Sequence, residues 1–273
     1  MILLTGAAGG VGSAVARLVA REGGALHLVD LATASEAGGG PRPLDALAEE
    51  LRGRGARITT QTLDLGVRGA ARAAVAEARA QHGHIDAAIQ CAGVYSERTL
   101  RKLQDEELDR VLDVHVRGSF ELAQSAAEAL SDRPGPGAIV LSIGQEGFFG
   151  AARQAHLAAA SGAVAGMVRS AALELRKRNI SVNAVAPTAR TQTTEAMPLF
   201  RGVSALSLTP EAAAPLYVYL VSSLGQEVSG EILGVAGGRI HAFQHRQTTG
   251  AFVEGRAFEI EEIAAAWDEI TRG

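Results

Sequence analysis

Residues 1–12 read Met1-Ile2-Leu3-Leu4-Thr5-Gly6-Ala7-Ala8-Gly9-Gly10-Val11-Gly12, an apolar run that passes straight into a glycine-rich turn. A short strand entering such a turn and opening a helix is a physical recipe for holding a pyrophosphate. Glycines let the backbone approach closely, and a helix N-terminus offers free N–H groups and a positive dipole end. Gly6, Gly9, Gly10, Val11 and Gly12 are therefore candidate nucleotide-binding residues. The second apolar run ends at Asp30, 18 residues beyond Gly12. A carboxylate there is placed to accept hydrogen bonds from an adenosine ribose and to repel a 2′-phosphate. No Arg or Lys lies in the glycine turn or in residues 31–41, so the reading favours NADH over NADPH.

Beyond this opening, apolar runs alternate with Ala/Leu-rich segments of helical period, the pattern of βα units feeding a parallel sheet. Strands are expected at 2–5, 25–30, 56–60, 85–90, 137–142, 180–185 and 231–235. Helices are expected near 11–22, 43–53, 68–82, 103–130, 153–178 and 210–223. The expected fold is α/β: a single Rossmann-like, doubly wound, seven-stranded parallel sheet with helices on both faces. Right-handed crossovers then place ligands at the carboxyl ends of the strands.

The main domain is expected to span residues 1–240, with 241–273 as an extension of the same domain. That tail is expected to end in an amphipathic helix near 259–271 carrying Ile260, Ile263, Ala264 and Trp267 on one face, serving as a lid or a subunit contact. Residues 31–43 read as a surface excursion rich in Ala, Gly and Pro. Residues 188–209, with Met197, Pro198, Leu199, Phe200 and Leu206, read either as a substrate lid or as a surface loop pinned by a few apolar side chains.

Composition excludes several classes. A formal net charge of −4 without a Lys/Arg-rich arm gives no footprint for nucleic acid. The single cysteine, Cys91, allows no internal disulfide, and nothing in the sequence resembles a zinc cluster or another metal site. The opening run MILL is too short for a signal segment, and no apolar stretch approaches the roughly 20 residues of a membrane span. A cytoplasmic protein without membrane contact is expected.

The ordered motifs resemble the short-chain dehydrogenase/reductase family over residues 1–240. Thr5-Gly6-x-x-x-Gly10-x-Gly12 matches that family's T-G-x-x-x-G-x-G, and Asp64-Leu65 resembles its adenine-contacting pair. Gln90-Cys91-Ala92-Gly93 matches N-N-A-G in its second half, bringing in Ala92 and Gly93. Ser181-Val182-Asn183-Ala184-Val185-Ala186-Pro187 resembles the segment beside the nicotinamide, with Thr188 in place of a glycine. Ser229-Gly230-Glu231-Ile232-Leu233 and Gly237-Gly238 are similar to the last strand and its glycine pair. The resemblance implies NAD(P)H, a small-molecule substrate, and pairing into a homodimer or homotetramer through the long helices.

The family's four catalytic positions are all changed. The Asn position is His115, the Ser position Gly144, and the Tyr and Lys positions Leu157 and Ser161. Slipping the alignment by two puts Ser142, inside a strand, at the serine. In the family, tyrosine protonates the developing alkoxide, serine polarises the carbonyl, and lysine lowers the tyrosine pKa and holds the ribose. No Tyr-x-x-x-Lys exists in any frame, since the tyrosines are Tyr95, Tyr217 and Tyr219 and the lysines Lys102 and Lys177. Candidate replacements for the acid are Tyr95 and His156, whereas His115 reads as a packed or hydrogen-bonded helix residue. Tyr95, Gly144, Gln145 and Leu157 are candidate substrate contacts, Ser161 is a candidate ribose contact, and Gln145 and Glu146 read either as substrate contacts or as part of a solvated loop.

Three readings follow. One is a reductase acting on a ketone of a bulky hydroxylated aromatic molecule, with the proton drawn from substrate or solvent; this pattern resembles angucyclinone ketoreductases of actinomycete polyketide pathways. The others are a non-redox cyclase or dehydratase, and a catalytically dead nucleotide-binding module.

Overall fold

The computed structural model describes all residues except 32–41, 196, 198, 199, 205, 206, 245 and 273. It forms two compact units, Met1–Phe243 and Gln244–Gly273.

In the first unit the strands are β1 (Ile2–Thr5), β2 (Leu26–Asp30), β3 (Ile58–Thr62), β4 (Ala87–Gln90), β5 (Gly137–Ser142), β6 (Ile180–Thr188), β7 (Ile232–Ala236) and β8 (Arg239–Ala242). They form one sheet in the order β3-β2-β1-β4-β5-β6-β7-β8. The first seven are parallel, the doubly wound arrangement expected. Strand order reverses at β1, which pairs with β2 through Thr5–Val29 and with β4 through Thr5–Gln90. That switch point is where a crevice opens beyond the carboxyl ends of the strands.

The eighth strand is a correction. Gly237-Gly238 turns the chain back, and β8 pairs antiparallel with β7 through Ala236–Arg239 and Leu233–Ala242. Its sequence, Arg239-Ile240-His241-Ala242, is short and half polar, so it carries no strong strand signal. A two-residue glycine turn, with Gly237 at φ +53°, is the feature that marks the hairpin.

Strands β1, β2, β4, β5 and β6 are buried on both faces, so their side chains alternate between two cores. Leu3, Val29, Ile139 and Leu141 face one core; Leu4, Leu28, Ile89 and Val140 face the other. The helices covering them are α1 (Gly10–Arg21), α2 (Pro43–Gly53), α3 (Ala70–His82), α4 (Asp105–Val111), α5 (Gly118–Ser131), α6 (Glu146–Phe149), α7 (Ala155–Leu175) and α8 (Pro210–Val221). Pro43 and Pro210 start their helices, and Gly69 and Gly83, both at positive φ, bracket α3.

The helix expected at 103–130 is interrupted. Between α4 and α5, residues Leu112–Arg117 widen into a π turn. Gln90 accounts for it: its amide donates to the Val114 carbonyl at 3.4 Å and accepts from the Ser119 hydroxyl at 2.8 Å. Ser119 also reaches the His115 carbonyl. Side chains that capture carbonyls from the helix ladder are what such a bulge requires, and π-bulges gather at functional sites.

In the second unit the helix expected near 259–271 is split into α9 (Ile260–Ala265) and α10 (Trp267–Arg272), broken at Ala266. Glu259 and Glu262 form a capping box at its start, and the Thr248 hydroxyl donates to the Ile270 carbonyl at 2.7 Å. Among the described residues no helix is long and apolar enough to cross a membrane.

Candidate functional site

A cavity of about 380 Å³ lies beyond the carboxyl ends of β1, β4, β5 and β6. Its nucleotide end is built by the turn from β1 into α1. Gly6 sits at φ +68°, and an added Cβ there would strike the Ala92 backbone after β4. A Cβ on Gly12 would strike the Gly6 carbonyl, and one on Gly10 would lie 2.5 Å from Thr191 Cγ2. At Gly6 and Gly12 only glycine lets the backbone close together. Gly9 caps α1 without a side-chain hydrogen bond, and the first turn carries no acidic residue, so the leading amides of α1 are left for an anion. This cradle fits the pyrophosphate of a dinucleotide.

Asp30, at the end of β2, is fixed by the amides of Ala8, donating to Oδ2 at 2.7 Å, and Leu31, donating to Oδ1 at 2.7 Å. Each carboxylate oxygen keeps a lone pair for a further donor. Asp64 is held by Arg110, whose Nη1 lies 2.9 Å from both carboxylate oxygens, and by the Gly66 amide at 2.8 Å. Leu65 is buried beside it. Ala92 and Gly93 line the cavity after β4, and Pro187 and Thr188 line it at the end of β6.

At the other end the arrangement is unusual. Leu157, in the first turns of α7, is buried and lines the cavity where the family's tyrosine is expected. Gly144 leaves a gap after β5, and the carboxylate of Glu146 fills it: a Cβ on Gly144 would overlap both Glu146 oxygens. Ser161 ties the two together, accepting the Gly144 amide at 3.0 Å and donating to Glu146 Oε1 at 3.0 Å. A Cβ on Gly147 would meet Ser161 Cβ at 2.8 Å, so this glycine is what lets α6 lie against α7.

Tyr95 lines the cavity, but its hydroxyl donates to Glu97 Oε1 at 2.7 Å and accepts from Gln154 Nε2 at 2.9 Å. Burial, followed by Glu97 and Glu146, pushes the phenol pKa well above its ordinary value. Its proton is engaged at Glu97, which makes it a weaker donor than a free tyrosine. Its partners are themselves braced. Arg153 adopts φ +68°, accepts the Arg98 amide at 2.8 Å and pairs with Glu97 at 3.3 Å.

His156 is placed away from the cavity. It is buried, its Nε2 bonds the Ser96 hydroxyl at 2.9 Å, and it does not line the cavity. One residue along a helix turns a side chain about 100° from its neighbour, and that turn carries His156 away from Leu157's direction. Ser161, expected at the ribose, is buried and engaged with Gly144 and Glu146. His115 lines the cavity with Nε2 2.9 Å from the Val94 carbonyl, and burial lowers its pKa. Ser142 closes β5 and shares a 2.7 Å hydrogen bond with the Tyr217 hydroxyl. Cys91 lines the cavity as a thiol whose pKa burial pushes up to about 12.

The segment between β6 and α8 supplies Ala189, Thr191, Thr193, Thr194, Met197 and Phe200 to the cavity wall. Arg190 organises it: Nη2 donates to the carbonyls of Phe200 and Val203 at 2.9 Å each, and the guanidinium lies 5.3 Å from the Phe200 ring centroid. Pro198, Leu199 and Leu206 of the expected lid, and residues 32–41 of the expected excursion, lie outside the described residues.

The cavity thus brings together Gly6, Gly9, Gly10, Val11, Gly12, Asp30, Asp64, Leu65, Ala92, Gly93, Pro187 and Thr188, and with them Tyr95, Gly144, Gln145 and Leu157. Sequence reasoning missed Arg110, Gln154 and the threonines at 191, 193 and 194. Arg110 is 46 residues from Asp64, a separation at which charge complementarity carries no signal. Gln154 was accessible, because it caps the helix whose first turn carries Leu157.

Residues 1–201 match the family model for short chain dehydrogenases. Among curated proteins the chain is 30% identical over 246 residues to 3-oxoacyl-(acyl-carrier-protein) reductase FabG of Thermotoga maritima, covering 87% of this chain and 96% of that protein. It is 34% identical over 185 residues to the short-chain reductase protein NovJ of Streptomyces niveus, covering 68% of this chain and 67% of that protein. It is also 30% identical over 275 residues to mouse peroxisomal multifunctional enzyme type 2, but spans only 36% of that enzyme's length. Among solved structures, a short chain dehydrogenase from Mycobacterium avium superposes with a TM-score of 0.86 at 23% identity, covering 98% of this chain and 93% of the other, a likeness of fold. A metagenomic blue fluorescent protein in complex with NADPH superposes with a TM-score of 0.76 at 26% identity, covering 87% of this chain and 96% of the other. The chain belongs to the short chain dehydrogenase family, whose oxidoreductases work with NAD(P)(H).

Proposed function

We propose that the protein is a cytoplasmic NAD(P)H-dependent ketoreductase acting on a ketone of a bulky hydroxylated aromatic polyketide of the angucyclinone kind. The observation that carries the reading is the contrast within one cavity. Its nucleotide end keeps Gly6, Gly12 and Asp30 in a closed cradle, while its substrate end presents Leu157 where the family's proton donor is expected. Names among the relatives, a 3-oxoacyl reductase and a short-chain reductase from a Streptomyces species, agree with reduction.

The glycine turn, Asp30, Asp64 and Leu65 would hold the dinucleotide, with Pro187 and Thr188 toward its nicotinamide. When bound, the reduced cofactor supplies a hydride to a carbonyl carbon. This chain's residues then orient and enclose. Val94, Leu157, Met197 and Phe200 give the cavity an apolar wall against which a flat aromatic body packs and from which water is excluded. Holding a ketone in a reactive pose is itself substantial catalysis. With the Tyr95 proton engaged at Glu97, the proton for the alkoxide comes from the substrate's own acidic hydroxyl or from solvent. Asp30 makes NADH the preferred cofactor of the two.

A second reading, a nucleotide-binding module without chemistry, is favoured by the same Leu157 and by the engaged Tyr95 hydroxyl. One experiment separates them. Fluorescence titration with NADH and NADPH is followed by a hydride-transfer assay using hydroxylated aryl ketones. Micromolar binding with turnover supports the ketoreductase, binding without turnover the module, and no binding of either overturns both.

A further inference from the structure

The gap left by Gly144 is not empty, and what fills it is charged. The Glu146 carboxylate occupies the space of a side chain on Gly144, lines the cavity, and is anchored through Oε1 by Ser161. Ser161 is in turn fixed by the Gly144 amide, so a closed triangle of three residues aims the carboxylate. Among the described residues Glu146 forms no ion pair, although its charge is felt by both Tyr95 and His115. A carboxylate is an acceptor only, and Oε2 receives no donor from the described residues. With no donor from the described residues, this oxygen is open to a donor on a ligand, and a charge-assisted O–H···O⁻ bond is the strong kind.

We propose that Glu146 is a specificity-determining residue that accepts a hydrogen bond from a substrate hydroxyl lying away from the reacting ketone. This rests on the ketoreductase reading and sharpens it. The preferred substrate carries a hydroxyl free of intramolecular bonding, and its methyl ether is rejected twice over: it has no proton to donate, and its methyl group desolvates the carboxylate without pairing it.

The test uses the full chain saturated with NADH. Two probes are compared: a trihydroxyanthraquinone with one hydroxyl remote from the quinone carbonyls, and the monomethyl ether of that hydroxyl. Dissociation constants are read by quenching of cofactor fluorescence. The unaltered protein is expected to bind the free hydroxyl at least tenfold more tightly. Glu146→Leu is expected to abolish that preference while leaving NADH affinity within twofold. Gly144→Ser provides an independent variant, because its side chain displaces the flexible end of Glu146 instead of colliding with backbone, and it too is expected to lose the preference. Equal binding of the two probes by the unaltered protein, or a preference that survives in both folded variants, overturns the assignment of Glu146. If NADH binds and neither anthraquinone does, the aromatic-substrate reading fails, and the inference falls with it.

Discussion

Gly6 and Ala92 belong to different βα units, yet their backbones are so close that no side chain fits between them. Gly6→Ala therefore meets two penalties, the collision and the left-handed φ of +68°. The conformational penalty alone is about 1–3 kcal/mol for a residue other than glycine. We expect a fall in melting temperature together with loss of NADH binding. In Gly9→Ala the new Cβ comes no nearer than 3.3 Å to the Gly6 carbonyl, so that variant should stay folded and lose cofactor affinity alone. Parallel melting curves and NADH titrations check the split, and two variants that melt alike would refute it.

Cofactor choice is expected to follow Asp30. A carboxylate bonded by the Ala8 and Leu31 amides remains an acceptor for ribose hydroxyls and a source of repulsion for a 2′-phosphate. Asp30→Asn should narrow the ratio of the NADPH and NADH dissociation constants by about tenfold, the equivalent of about 1.4 kcal/mol. An unchanged ratio would remove Asp30 from the selection of cofactor.

Stability should fall as the medium is acidified from pH 7 to pH 5. His27 is fully buried on β2, bonded to Thr59 at 2.8 Å, and burial lowers its pKa; His115 is lowered in the same way. Unfolding releases both to about 6.5, so below that value the unfolded chain binds more protons than the folded one. Their contribution is present above pH 6.5 and is lost as pH falls through it. Melting temperatures across this window should show the slope, and His27→Gln should flatten it. A melting temperature constant across that range would disprove the linkage.

Arg190 joins three points of the segment between β6 and α8. Arg190→Ala should release Phe200 from the cavity wall and raise the KM for an aryl ketone about tenfold, a loss of about 1.4 kcal/mol in substrate binding. NADH affinity should change little. Steady-state kinetics with separate substrate and cofactor series decides the matter.

Light scattering should find a dimer or tetramer. Phe120 on α5 and Leu173 on α7 leave 51% and 77% of their surfaces exposed, apolar area that a partner copy would cover. A monomer at high concentration would refute this.

The sequence made the nucleotide half legible because its constraints are local: a strand, a glycine turn and a helix lie within the first 21 residues. The sheet was readable for a related reason, since strands buried on both faces appear as continuous apolar runs. The π turn was not readable, because its cause is Gln90, which lies 24 residues from Val114. The hold on Glu146 was equally hidden. Its placement depends on a missing Cβ at Gly144 and on Ser161 one helix away, and neither spacing signals a contact. Strand β8 escaped because its four residues are half polar and follow what reads as a terminal glycine pair.

That late strand bears on how the cavity opens. Phe243, which extends the β8 pairing, stacks on Phe148 of α6 with ring centroids 4.5 Å apart and planes 9° from parallel. Helix α6, which carries Glu146, therefore leans on a strand with a single paired neighbour, whereas the glycine cradle is rooted at the centre of the sheet. Local unfolding begins where the fewest bonds must break, so the two ends of the cavity breathe at different free energies. Such a molecule can loosen one rim of its cavity while the glycine cradle stays closed.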